Sequence, residues 1–132
     1  MPGKANTPTW LGAVQGERRD FVVTLFVPSL TRDGVPLDHD TWRTQALEVM
    51  TRLFGGATVA ECDGAWRDDE RGGAIKVERI STVQSFMAKS SWNKETVREL
   101  ATFLHRMGRE ADQGEIGLIV GGEYFPIREF SK

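Results

Sequence analysis

The run FVVTLFVP, residues 21–28, constrains the fold more than any other part of the chain. It is short and rich in β-branched and aromatic residues, which favours a strand over a helix. In a strand, apolar residues would lie on both faces: Phe21, Val23, Leu25 and Val27 on one, Val22 and Phe26 on the other. Such a strand is normally central in a sheet, with other parts of the protein packed above and below it.

Two segments have the apolar spacing of amphipathic helices. The first begins near Thr41, has Asp38 or Asp40 as its N-cap and ends at Gly55-Gly56. The second is capped by Ser90, Ser91 or Asn93. The predicted buried stripes are Trp42, Ala46, Val49, Met50 and Leu53 in the first helix, and Val97, Leu100, Ala101, Leu104 and Met107 in the second. Trp42 and Trp92 open the two helices, and we expect both to be buried.

The remaining apolar segments are predicted strands. Residues 57–62 and 74–84 should pair as antiparallel neighbours, with Asp63-Gly64 as a turn or bulge and 67–73 as an exposed connection. Ile80 is out of phase with Ile75 and Val77, which indicates a bulge or a strand that leaves one neighbour for another. A strand through Val120, a Gly-Gly turn and a short edge strand containing Pro126 close the chain.

This order predicts an α+β fold of ferredoxin-like type, β-α-β-β-α-β, with both helices on one face of an antiparallel sheet and a C-terminal β-ribbon. Residues 1–17 lack periodicity and are predicted to be a flexible N-terminal arm. Residues 18–132 then form a single domain.

Composition narrows the class of protein. A net charge of −2 and a pI near 5.7 disfavour a broad nucleic-acid-binding face. No apolar run reaches the roughly 20 residues that a membrane span needs, and the N-terminus has no signal-peptide pattern. The single Cys62 cannot form an internal disulfide. We therefore expect a protein of the reducing cytoplasm with no membrane partner.

One set of residues resembles a known group. Asp33-Gly34, Trp42, LFGGAT at 53–58 and GAW at 64–66 are similar to a pattern in small uncharacterised bacterial proteins of ferredoxin-like type. The predicted architecture also resembles the dimeric α+β barrels. These matching residues are structural ones, so the resemblance implies no catalytic residue.

The charged stretch Arg67-Asp68-Asp69-Glu70-Arg71 has two interpretations. Carboxylates could hold a metal, but consecutive side chains of an extended segment point to opposite sides and do not converge. The alternating charges instead favour a solvated hairpin tip, so we predict no metal site and no cofactor.

Trp66, Arg67, Glu78 and Arg79 are the predicted ligand-binding residues, since an arginine and an aromatic ring together can bind a phosphate or a base. Cross-strand ion pairs would explain the same charges without a ligand. His105 and Tyr124 are the weaker candidates for proton transfer. We expect His39 to have a capping or surface role at the start of the first helix.

Two functions remain open at this stage. The first is a binding or assembly module without a classical active site, which self-associates through its sheet as a homodimer or larger homo-oligomer. The alternative is an enzyme or sequestering protein that acts on a small anionic ligand such as a nucleotide. The N-terminal arm, with Trp10 and Leu11, could instead cover the sheet and keep the chain monomeric.

Overall fold

A computed structural model describes residues 19–131, so the predicted arm at 1–17 lies outside the described residues. The strands are β1 Phe21–Val27, β2 Thr58–Asp68, β3 Ala74–Met87, β4 Ile116–Val120 and β5 Glu123–Ile127; the helices are α1 His39–Phe54 and α2 Lys94–Glu110. Single 3-10 turns follow β2 at Asp69–Arg71 and β3 at Lys89–Ser91. Along the chain these elements follow one another as β-α-β-β-α-β-β.

The strands form one five-stranded sheet in the order β2-β3-β1-β4-β5, and every neighbouring pair is antiparallel. β1 lies in the middle, between β3 and β4. Val23, Leu25 and Val27 of this strand are fully buried under the helices. The central position explains why β1 is apolar on both faces, and the α+β class with an antiparallel sheet and two helices is confirmed.

Both helices pack on one face of the sheet, and local signals set their ends. The Asp38 carboxylate accepts a hydrogen bond from the Thr41 amide, and Gly55 ends α1 with a φ of 89°, a left-handed conformation that glycine adopts without strain. Asn93 caps α2. Trp42 is buried as predicted, whereas Trp92 is only half-buried. The buried helical residues are Trp42, Ala46, Val49, Met50 and Phe54 of α1 and Leu100, Phe103, Leu104, Met107 and Gly108 of α2.

The hairpin of β2 and β3 is longer than the sequence indicates. Its register runs without interruption from Thr58↔Gln84 to Asp68↔Ala74, so the predicted turn or bulge at Asp63-Gly64 is wrong. Pairing between β1 and β3 ends at Val27↔Ser81. The change of phase at Ile80 therefore marks the point where β3 leaves one of its two neighbours.

Beyond that point the hairpin is not covered by the helices. Ile75 and Val77, which share the helix-side face with buried Val83, are 67% and 64% exposed. The tip is solvated, as predicted: Arg67 pairs with Asp69 and Arg71 with Asp68. The sheet face opposite the helices is called the open face below.

Candidate ligand-binding site

A pocket of about 780 Å³ lies at one end of the open face. It is bounded by the β2–β3 hairpin, the β1–α1 loop and the α2–β4 loop. Open-face positions on four strands contribute Phe26, Gly64, Ile80 and Gly117 to its lining. Two of these residues are glycines, and side chains of neighbouring strands lie over them: Ile80 over Gly64 and Tyr124 over Gly117. The volume is in the range of pockets that hold small organic ligands.

Glu78 is the most constrained charged group of the pocket. Its side chain is only 9% exposed, and its Oε2 accepts hydrogen bonds from the amides of Ser29, at 2.7 Å, and Leu30, at 2.8 Å. Among residues 19–131, no donor reaches Oε1 of this carboxylate. Two backbone donors hold this carboxylate in one orientation. The second oxygen is therefore available to a ligand.

The β1–α1 loop that carries these amides forms the pocket rim, residues 28–32. The Gln113 side chain, 8% exposed, donates to the carbonyl of Leu30 at 2.8 Å and to that of Ala111 at 2.9 Å. The Arg32 amide donates to the Asp112 carbonyl, and its guanidinium donates to the Gln113 carbonyl. The rim is thus fastened to the α2–β4 loop by several hydrogen bonds. No pattern in the sequence indicated this role of Gln113.

Tyr124 forms the opposite wall with Glu115. Its hydroxyl donates to Oε2 of Glu115 at 2.7 Å, while Arg128 donates to Oε1 at 2.9 Å. Burial and then the bond to Glu115 raise the pKa of Tyr124 to about 12. Burial works against the charge of Glu115, but the two donors hold the pKa of that carboxyl below its usual value. Tyr124 is therefore a neutral phenol committed to Glu115.

The structure brings together only some of the predicted site residues. Trp66 and Glu78 line the pocket, and Arg67 lies at its edge, paired with Asp69. Arg79 is outside the lining, because it lies on the helix-side face of β3 with its guanidinium 3.5 Å from Asp63.

The two candidates for proton transfer are separated as well. Tyr124 lines the pocket. His105 lies on α2, where its Nδ1 accepts a hydrogen bond from the Ser131 amide at 2.8 Å, so this ring holds the C-terminal segment against the helix. His105 has no contact with the pocket lining.

The charges of the pocket are nearly balanced. Asp33, Asp68, Glu70, Glu78 and Glu115 line it together with Arg32, Arg67, Arg71 and Arg128. Each of these arginines is paired with a carboxylate. Glu78 is the buried one of these carboxylates, and no arginine among residues 19–131 is paired with it, so this lining is better suited to a neutral, zwitterionic or cationic ligand than to a phosphate.

Residues 19–131 contain no group of three or more His, Cys, Asp or Glu side chains placed to hold a metal ion. Over the same range, no helix has the length and apolarity required to cross a membrane. Cys62 is a free, half-buried thiol on the open face of β2.

Fold and site together define a small α+β protein with a ligand-sized pocket on the open face of its sheet. No family model matches the sequence, and no curated protein matches it. Solved structures do match. A phage SAM lyase in complex with S-methyl-5'-thioadenosine has a TM-score of 0.64 and 13% identity, over 87% of this chain and 96% of that one. A phage SAM lyase in the apo state has a TM-score of 0.58 and 13% identity, over 89% and 98%. At this identity the likeness shows the fold alone, and the resemblance to small bacterial proteins stays a prediction.

Proposed function

We propose that the protein binds S-adenosylmethionine (SAM) in the open-face pocket and cleaves it as a lyase, with S-methyl-5'-thioadenosine as one product. The observation that carries the proposal is the fixed Glu78 carboxylate, with one oxygen free, in a pocket of about 780 Å³. The likeness to a SAM lyase that binds this thioether supports the same choice. This proposal follows the alternative function, action on a small ligand, and not the binding or assembly module without an active site. It changes the expected class of ligand from anionic to sulfonium, which is cationic.

The lining suits the parts of this substrate. The sulfonium is a cation, and a buried carboxylate attracts it more strongly than an exposed one does. Trp66 and Tyr124 offer aromatic surfaces on which adenine can stack. Because Tyr124 is committed to Glu115, we assign it to binding and not to proton transfer.

The reaction needs no group that the pocket lacks. The bond between sulfur and the amino-acid chain breaks, and its electron pair goes to sulfur, which becomes a neutral thioether. The four-carbon fragment leaves as a lactone: an oxygen of its own carboxylate forms the new bond to the carbon that sulfur leaves, so no proton has to be transferred. The sulfonium is already a good leaving group, so the main task of the pocket is to hold the reacting conformer.

Product formation tests the proposal. Purified protein is incubated with SAM, and the thioether is quantified by chromatography and mass spectrometry against a sample without protein, because SAM also decomposes slowly by itself. We expect release above this background. Glu78→Gln keeps an acceptor for the two amides but loses the charge, so it should weaken binding of SAM by roughly 10- to 100-fold. The matched control, Arg79→Gln, changes the neighbouring residue outside the pocket and should behave as wild type. Absence of both SAM cleavage and thioether binding would show the proposal to be wrong.

Three finer statements belong to the same proposal. The strand order β4-β1-β3-β2 within the sheet supports a ferredoxin-like arrangement extended by β5. The exposed Phe86, Ile75 and Val77 support self-association as a homodimer or larger homo-oligomer. The free Cys62 thiol supports residence in a reducing compartment.

A further inference from the structure

His39 is not among the residues that line the pocket. It is the first residue of α1, and its ring lies on the helix side of the sheet, where Nδ1 is 2.8 Å from the Pro28 carbonyl oxygen and Nε2 is 2.7 Å from Ser81 Oγ. It does not cap the helix, since Asp38 does so. The expectation of a capping or surface role for His39 is therefore wrong, and both ring nitrogens have partners.

The partners of the two ring nitrogens place the ring in a network. The Pro28 carbonyl can only accept, so Nδ1 donates to it. On the other side of the ring, the Ser81 hydroxyl lies 2.7 Å from Nε2 and 2.8 Å from both carboxylate oxygens of Glu61. Contacts therefore run without a break from the Pro28 carbonyl through the ring to Glu61.

The far end of this network is held in place as well. Glu61 Oε2 is 3.6 Å from Nε2, and Ser81, which joins them, is fully buried. Hydrogen bonds from Ser81 and Arg43 lower the pKa of Glu61. Glu61 is also paired with Arg43 of α1 at 2.8 Å, so the ring lies between the loop after β1 and fixed side chains of β2 and β3.

The ring is also linked to the pocket through three consecutive residues. His39 holds the carbonyl of Pro28 from the helix side, and the next two amides, of Ser29 and Leu30, donate to Glu78 on the open face. The start of the pocket rim is thus fastened from both faces of the sheet. A loss of the His39 contact would free the segment that orients the Glu78 carboxylate.

We propose that His39 is a positioning residue: its Nδ1 proton, donated to the Pro28 carbonyl, fixes the pocket rim and through it the orientation of Glu78. The order of the rim does not depend on what the pocket binds. The effect on ligand affinity rests on the proposed function.

Nuclear magnetic resonance tests the Nδ1 contact directly. The chain has two histidines, and a His105→Gln variant assigns their ring nitrogen signals. We expect Nδ1 of His39 to carry a proton that exchanges slowly with solvent, because it is hydrogen-bonded to the Pro28 carbonyl. An Nδ1 without a proton would overturn the proposal.

Amide hydrogen exchange tests the positioning role without any ligand. At one pH, His39→Gln should make the amides of Ser29 and Leu30 exchange about tenfold faster, the factor for loss of one hydrogen bond of ordinary net strength. Amides shared by β4 and β5 should keep their rates, and His105→Gln is the control that should leave the rim unchanged. Unchanged protection of both rim amides in His39→Gln would refute the role.

Binding connects the ring to the pocket. At one pH, affinity for S-methyl-5'-thioadenosine should be lower in His39→Gln than in wild type and in His105→Gln, and His39→Asn, whose amide nitrogen can take the place of Nδ1, should restore part of it. If His39→Gln does not fold, the wild-type protein decides: its rim amides must be as well protected from exchange as the amides shared by β4 and β5, and rapid exchange at both rim amides would refute the role. If the thioether does not bind, the proposed function fails, while the ring and exchange measurements still decide the positioning role.

Discussion

The position of the Tyr124 ring depends on Gly117, which has no side chain. A Cβ at Gly117 would lie 2.6 Å from the Tyr124 hydroxyl, so the ring occupies the space that a larger residue would take. This placement lets the hydroxyl reach Glu115 and brings the ring within 6.5 Å of Phe26. The wall of the pocket at this side is therefore set by a glycine on the neighbouring strand.

The titration of Tyr124 tests this environment. It is the only tyrosine of the chain, so phenolate absorbance reports it alone. We expect a pKa of about 12, and a pKa closer to the ordinary 10 in Glu115→Gln, which keeps the burial but loses the charge and weakens the hydrogen bond. Because the pKa is raised in the folded state, its contribution to stability is present below about 10 and is lost as the pH rises toward 12. Circular dichroism verifies that the protein is still folded; a wild-type pKa near 10 in the folded protein would contradict the hydrogen bond.

At the scale of elements, α1 is held to the rest of the core by Trp42. This side chain is 8% exposed, its ring centroid lies 6.2 Å from that of Phe103 on α2, and the Arg106 guanidinium lies over it at 5.3 Å. Trp42 therefore links the two helices. By contrast, Trp66 on the hairpin is 45% exposed and has its role at the pocket.

Removal of each indole should separate stability from binding. Trp42→Ala should lower the free energy of unfolding by about 3–5 kcal/mol, because it leaves a large cavity between the helices. Trp66→Ala should change it by about 0.5 kcal/mol or less but weaken thioether binding. Urea unfolding measures the first quantity and calorimetry the second. Equal unfolding midpoints for wild type and Trp42→Ala would show that the indole is not packed as described.

At the scale of the whole molecule, exposed apolar side chains lie on two surfaces. Phe86 is 54% exposed on the open face, opposite half-buried Val22. Ile75 and Val77 are exposed on the helix-side face of the hairpin. These two surfaces are separate, so self-association through one or the other can be distinguished by substitution.

Light scattering at micromolar concentration measures the outcome. We expect a mass above the 14.8 kDa of one chain. Phe86→Glu should return it to one chain if the sheets pack face to face, because a charge is costly to bury in an apolar contact. Ile75→Glu is the matched control on the other surface. A monomeric wild type would refute self-association, and dissociation by Ile75→Glu alone would move the interface to the hairpin.

Much of the fold followed from the sequence because its signals are local. Periodicity predicted both helices, Asp38 and Asn93 were among the expected caps, and the doubly apolar β1 required a central place. The extent of β2 was missed because Asp63-Gly64 has the composition of a turn. Pairing with β3 outweighs that local preference, since each residue there gains a partner in the ladder.

The sequence by itself determined the class of fold, the central strand and the candidates Trp66, Glu78 and Tyr124. Only the tertiary structure decided how they act, because their partners are remote along the chain. Glu78 is oriented by Ser29 and Leu30, the rim by Gln113, and His39 by Pro28 and Ser81. Periodicity shows which face of an element a residue occupies, but hydrogen bonds between distant segments depend on how strands and loops meet in space. Strand alternation places Arg79, two positions from buried Ser81, on the face opposite the pocket, while its neighbour Glu78 lines it. The two amides that orient Glu78 come from a loop 48 to 49 residues earlier, which no local pattern indicates.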